Sequence, residues 1–154
     1  MRTFTQWMDA YGESHQNPQN QMIHKICVPL IMMSVFGMLW AIPIPWAANP
    51  ISLWVNWATI GAALGLAFYF SLNLLMALGM VVQIAVMLGV VHAFERFGIL
   101  LPASIGIFVL AWIGQFYGHK IEGKKPSFLD DLAFLLIGPL WVQRFLYARI
   151  GIKV

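Results

Sequence analysis

The chain of 154 residues is 60% hydrophobic and only 10% charged, whereas soluble domains carry about 25% charged residues. With a mean hydropathy of +0.77, that balance excludes an ordinary soluble domain and makes lipid the expected solvent. The net charge of +3 comes from nine Lys and Arg scattered near the ends of apolar runs, so the basic stripe of a nucleic-acid-binding protein is missing and a lipid bilayer with anionic headgroups is the expected partner.

In hydrocarbon every backbone amide must be satisfied within the structure, and continuous rather than alternating apolar segments select helices over a barrel. The expectation is a single all-α integral membrane domain over residues 1–154. Residues 1–25 are polar and lack the central apolar run of a signal peptide, so they are expected in the mature protein. Within them Tyr11 and His15, four apart, share one face of an N-terminal polar helix. Asn17-Pro18 is expected to break that helix and turn the chain back toward the bilayer.

Apolar runs follow at 26–42, 51–70, 72–91 and 99–117. At about 1.5 Å per residue each approaches or spans a hydrocarbon core of roughly 30 Å, which predicts a bundle of about four transmembrane helices. The run at 132–142 is too short to cross and reads as a re-entrant or interfacial segment, with Asp130-Asp131 as its cap. Cys27 has no disulfide partner and reads as a small buried residue. Gly61, Gly65, Gly79, Gly89, Gly106 and Gly114 allow close helix approach, while Trp40, Trp46, Trp54, Trp57 and Trp112 lie toward span ends, where interfacial anchors sit. If 132–142 does not cross, Arg2, Lys25, Lys120, Lys124, Lys125, Arg144, Arg149 and Lys153 share one side and Arg96 alone lies opposite. Both termini are therefore expected in the cytoplasm.

That topology sorts the four histidines. His15 and His24 precede the first span and His119 follows the fourth, so these three gather at one face of the bilayer, with His92 on the other. A lone interfacial histidine is ordinarily an amphipathic residue at a wet boundary, and His92 is read that way. Three neutral imidazoles together can hold a divalent metal and leave positions open for substrate. Gln115, His119 and Glu122 line one face if the fourth helix runs past its membrane end. Glu122 is a candidate fourth ligand or an acceptor that orients a ligating histidine, and Tyr11, Asn17, Asn20 and Gln115 are candidates for the supporting role. Lys25 and Lys120 are placed to attract an anionic substrate. The chain has no Gly-rich phosphate loop, CxxC pair or G-x-S-x-G elbow. It has too few histidines for a histidine-box di-iron site, and Asn56 and Gln83 within the spans carry no charge for ion coupling. A non-enzymatic haem-binding or scaffold bundle using His24 and His119 as axial ligands is the alternative.

Three blocks then carry a resemblance: YGESHQNPQNQMIHKICVP at 11–29, WIGQFYGHKIEGKKPSF at 112–128 and LLIGPLW at 135–141. An H-x-N-P-x-x-x-x-x-H pattern before a span and a Q-x-x-G-H-x-x-E-x-x-x-P pattern after one are specific enough to be informative together. In this order, over essentially the whole chain, the sequence resembles the membrane 2-hydroxy fatty acid dioxygenase family of fatty acid α-oxidation and phytosphingosine breakdown. The resemblance implies an Fe(II)-dependent enzyme that uses O2 to shorten a 2-hydroxy fatty acid by one carbon, with its histidines at His15, His24 and His119. It also implies residence in the inner membrane if the source is bacterial, or in the endoplasmic reticulum if eukaryotic.

Overall fold

The computed structural model describes residues 2–45, 55–129 and 131–154. The described residues form six helices and no strand: α1 (Phe4–Gly12), α2 (Pro18–Trp40), α3 (Trp57–Leu72), α4 (Leu74–Arg96), α5 (Leu100–Glu122) and α6 (Phe134–Arg149), with a short 3-10 turn at Ser127–Leu129. Three of them, α2, α4 and α5, are each 23 residues and apolar enough to cross a bilayer. The run expected at 51–70 appears as α3, a shorter apolar helix of 16 residues. Residues 51–54, together with Trp46, Trp54 and Asp130, lie outside the described residues.

Local chemistry sets the helix ends. Thr3 and Gln6 close a reciprocal capping box at the start of α1. That helix stops at Gly12, earlier than the Asn17-Pro18 break expected from sequence. Asn17 and Pro18 instead begin α2: the Asn17 side chain accepts from Gln19 N, and Pro18 occupies the first turn, where a missing N–H costs nothing. Helix α2 thus starts eight residues before its apolar run, because a well-capped polar turn extends the helix beyond the segment that hydropathy marks. A single residue, Asn73, separates α3 from α4. Its N–H bonds Tyr69 O and its side chain accepts from Met76 N, satisfying both ends at once. At the end of α5, Gly123 takes a left-handed conformation at φ 71° and caps the helix. Helix α5 therefore does run through Gln115, His119 and Glu122.

Among the described residues, the most extensive helix–helix contact joins α2 to α5. The two run antiparallel: a Cβ on Gly118 would strike Asn20, and one on Gly114 would lie 2.7 Å from Cys27 Sγ. Where hydrophobicity cannot drive association, such close approach is what holds helices together. Cys27, half-buried, serves this crossing.

Helix α6 extends well past 142 and folds back on α1, α2 and α4. It is pinned to the start of α4 by Gln143 Nε2 donating to Met76 O at 2.8 Å and Tyr147 Oη donating to Leu75 O at 3.0 Å. Asp131 Oδ1 accepts from Ala133 N just ahead of the helix. Helix α1 lies across α6 through Trp7 and Phe134, edge to face at 5.2 Å, and Arg2 covers the Trp7 ring at 4.7 Å.

Gly118→Leu is expected to destabilise the protein by about 1–3 kcal/mol, since it overpacks the α2–α5 crossing. Gly89→Ala, where an added Cβ meets nothing within 4 Å, is expected to leave stability unchanged or raise it by up to about 1 kcal/mol. Denaturation midpoints in a common detergent would check both.

Candidate metal centre

The crossing brings His24, near the start of α2, level with His119, near the end of α5. The tight turn after α1, in which His15 N bonds Gly12 O at 3.0 Å, carries His15 in from a third direction. His15 and His24 are 1% exposed and His119 is 6% exposed. Ring centroids lie 4.2 Å apart for His15–His24, 5.1 Å for His15–His119 and 4.8 Å for His24–His119, at interplanar angles of 76°, 70° and 90°. The rings meet like the faces of a corner. One ligand atom from each lies within 4.8 Å of the other two.

The hydrogen bonds behind the rings decide which nitrogens face inward. His15 Nδ1 lies 2.6 Å from Tyr11 O and His24 Nδ1 lies 3.0 Å from Asn20 O. A carbonyl only accepts, so Nδ1 carries the hydrogen in both rings and Nε2 is left with its lone pair. His119 Nδ1 is buried and meets no hydrogen-bond partner, so that nitrogen is available. His15 Nε2 is likewise buried without a partner. An unsatisfied buried acceptor costs about 1–3 kcal/mol, and a cation among the three is what would relieve it.

Donors bonded at about 2.1 Å to one ion lie roughly 3 to 3.6 Å apart, so shifts of well under 1 Å per ring would complete the shell. The donor set fits a divalent transition metal with positions left open. Burial, aided by nearby His119, holds the His15 imidazole down at about 4. It is therefore neutral, the form that binds metal, throughout the physiological range.

Glu122 stands outside this group. Its Oε1 accepts from Gln16 N at 2.8 Å, and its Oε2 accepts from Asn17 N at 2.9 Å and Asn20 Nδ2 at 3.0 Å. These bonds clamp the His15 turn and the start of α2 onto the end of α5. Tyr11 stacks on His15 at 4.2 Å and 8°, and burial pushes its phenol up, so it stays protonated. Asn17 caps α2. Gln115 lies buried in the wall of the adjoining cavity, one turn before His119. Lys25 Nζ sits 3.9 Å above the Phe145 ring rather than beside the imidazoles, and Lys120 is exposed. His92 is 3.2 Å from Glu95 Oε2 and packs near Trp40, at the opposite end of α2.

Several contributors were not assigned a role from sequence. Ser14 Oγ lies 2.5 Å from Ser127 Oγ and 3.1 Å from His15 Nδ1. Trp141 backs both His15 and Tyr11, at 5.1 and 5.4 Å. Trp112, expected as an interfacial anchor, lines the cavity instead, because it shares the inward face of α5 with Gln115 and His119. The only advance signal for these residues is that each lies within a block that carries the resemblance.

The cavity has a volume of about 460 Å³ and opens between Tyr11, His24, Gln115, His119 and Ser127. The rest of its lining, contributed by α2, α3, α4, α5 and α6, is almost wholly apolar.

Residues 1–150 match the Mpo1-like family, described as 2-hydroxy-palmitic acid dioxygenase Mpo1-like, and the chain belongs to that family. It is 28% identical over 143 residues to the 2-hydroxy-palmitic acid dioxygenase MPO1 of Saccharomyces cerevisiae, an alignment covering 92% of this chain and 78% of the yeast protein. No solved structure matches the chain.

Glu122→Ala is expected to lower metal affinity by about 10–100-fold, the usual effect of losing a group that orients the ligands, and Glu122→Gln by less, because one acceptor oxygen remains. Titration of metal-free protein, with His92→Ala as an unaffected control, would measure the difference.

Proposed function

We propose that the protein is an Fe(II)-dependent dioxygenase converting a 2-hydroxy fatty acid to the fatty acid one carbon shorter. The observation that carries this reading is the buried trio His15, His24 and His119, whose ligand atoms lie within 4.8 Å of one another, with His24 and His119 lining an apolar cavity. Family membership supports the substrate class. His15 Nε2, His24 Nε2 and His119 Nδ1 would hold the metal, which when bound supplies O2 activation and a Lewis-acidic anchor for the substrate's carboxylate and hydroxyl.

The protein's own groups do the positioning. The carbonyls of Tyr11 and Asn20 fix the His15 and His24 tautomers. Gln115 and the protonated Tyr11 phenol, both in the cavity lining, are placed to hydrogen-bond the substrate's polar end. The apolar walls exclude water from the reacting carbons and contribute about 0.8 kcal/mol per buried CH2. Atoms balance with one O2: the C1–C2 bond breaks, C2 becomes the new carboxyl, and C1 leaves as carbon dioxide with one water. No external reductant is consumed.

The reading also covers placement. The chain is one membrane domain whose histidine-bearing end and both termini face the cytoplasm, with α6 interfacial or re-entrant on that side. A haem held by His24 and His119 has less support. The two ring centroids are only 4.8 Å apart, too close to admit a porphyrin between them, and His15 packs against both.

Purified protein is expected to be colourless in the Soret region and to hold one iron. Anaerobic incubation with a 2-hydroxy fatty acid followed by O2 should release the one-carbon-shorter acid, read by mass spectrometry. His15→Ala, His24→Ala and His119→Ala should each abolish iron retention and turnover, and His92→Ala neither. Equal iron across all four variants would remove the assignment.

A further inference from the structure

Beyond the metal centre, the far end of the cavity has its own construction. Leu39 of α2 lines that end, fifteen residues on from His24, which lines the mouth. At about 1.5 Å per residue the arm is therefore roughly 22 Å long, whereas the acyl tails of one leaflet fill about 15 Å, half of the hydrocarbon core. One polar end and one apolar arm suit one acyl chain, not the paired tails of a membrane lipid.

Across from Leu39 lies α3. A Cβ on Gly61 would rest 3.4 Å from Leu39 Cδ1, whereas one on Gly65 meets nothing within 4 Å. Gly61, Gly65 and Tyr69 of α3, spaced at i, i+4 and i+8, form one cavity wall. Two of these positions are open because a side chain is missing. The third, Tyr69, is 0% exposed with a hydroxyl that meets no hydrogen-bond partner.

We propose that the arm is a length gauge for a single acyl chain, with Gly65 keeping its distal part open and Leu39 closing it. The inference rests on the reading of the imidazole end as the site of a fatty acid head group. Shortening the arm should exclude long chains without touching the metal.

The test uses iron-loaded protein and variants Gly65→Leu, Gly65→Phe and Leu39→Ala, with parinaric acid displaced by 2-hydroxy fatty acids and by plain fatty acids of graded length. Bulk at Gly65 should lower affinity about fourfold for each methylene that no longer fits, the factor for one buried CH2, while short chains and iron content are unchanged. Leu39→Ala should move the cut-off to longer chains, so the gauge stays testable if a Gly65 variant fails to fold. Equal loss at every length, or an unaltered profile in the variants that fold, would overturn it. A shifted cut-off with 2-hydroxy acids binding no tighter than plain ones would keep the gauge and remove the head-group reading. An unshifted cut-off with intact iron-dependent turnover would do the reverse.

Discussion

Three neutral imidazoles packed against one another, two of them with a buried ring nitrogen that meets no hydrogen, make an expensive interior. Burial penalises protonation, so the rings cannot relieve the arrangement by charging, as the depressed His15 shows. Backbone carbonyls already take the outward nitrogens, so the rings cannot relieve it by turning over either. A shared cation would relieve it, and the proposed chemistry rests on that.

The rest of the structure serves to keep the arrangement closed. Gly114 and Gly118 let α2 and α5 approach closely enough for His24 and His119 to meet. Glu122 ties the His15 turn to the same crossing with three hydrogen bonds. Tyr11 and Trp141 then cover His15 from behind, and α6, pinned to α4 by Gln143 and Tyr147, holds Trp141 in place. Because the imidazoles come from separate segments, the centre exists only when these elements are assembled. The apolar cavity that His24 helps to line is the place proposed for an acyl chain.

Much of this was legible in the residues, for physical reasons. Long uncharged runs mark helices in lipid regardless of tertiary context, so α2, α4 and α5 could be located, and charge placement sorted His15, His24 and His119 from His92 before any coordinates. Polar helix was less visible: nothing in hydropathy shows that α2 begins at Pro18, since Asn17 capping and Pro18 at the first turn act without burying apolar surface. Helix α6 looked too short because Gln143, Arg144 and Tyr147 interrupt the apolar run, yet they are the residues through which its second half docks or meets solvent. The roles of Glu122, Ser14 and Ser127 depend on contacts between positions more than a hundred residues apart, which spacing along the chain cannot encode. The resemblance located their neighbourhoods and left their roles open.

X-ray absorption at the iron edge of purified protein, with and without a 2-hydroxy fatty acid, reaches the central claim most directly. Three imidazole nitrogens at about 2.1 Å, with the remaining scatterers changing when the acid is added, is the result expected from His15, His24 and His119. Sulfur, porphyrin nitrogens or fewer than three imidazoles in that shell would contradict it.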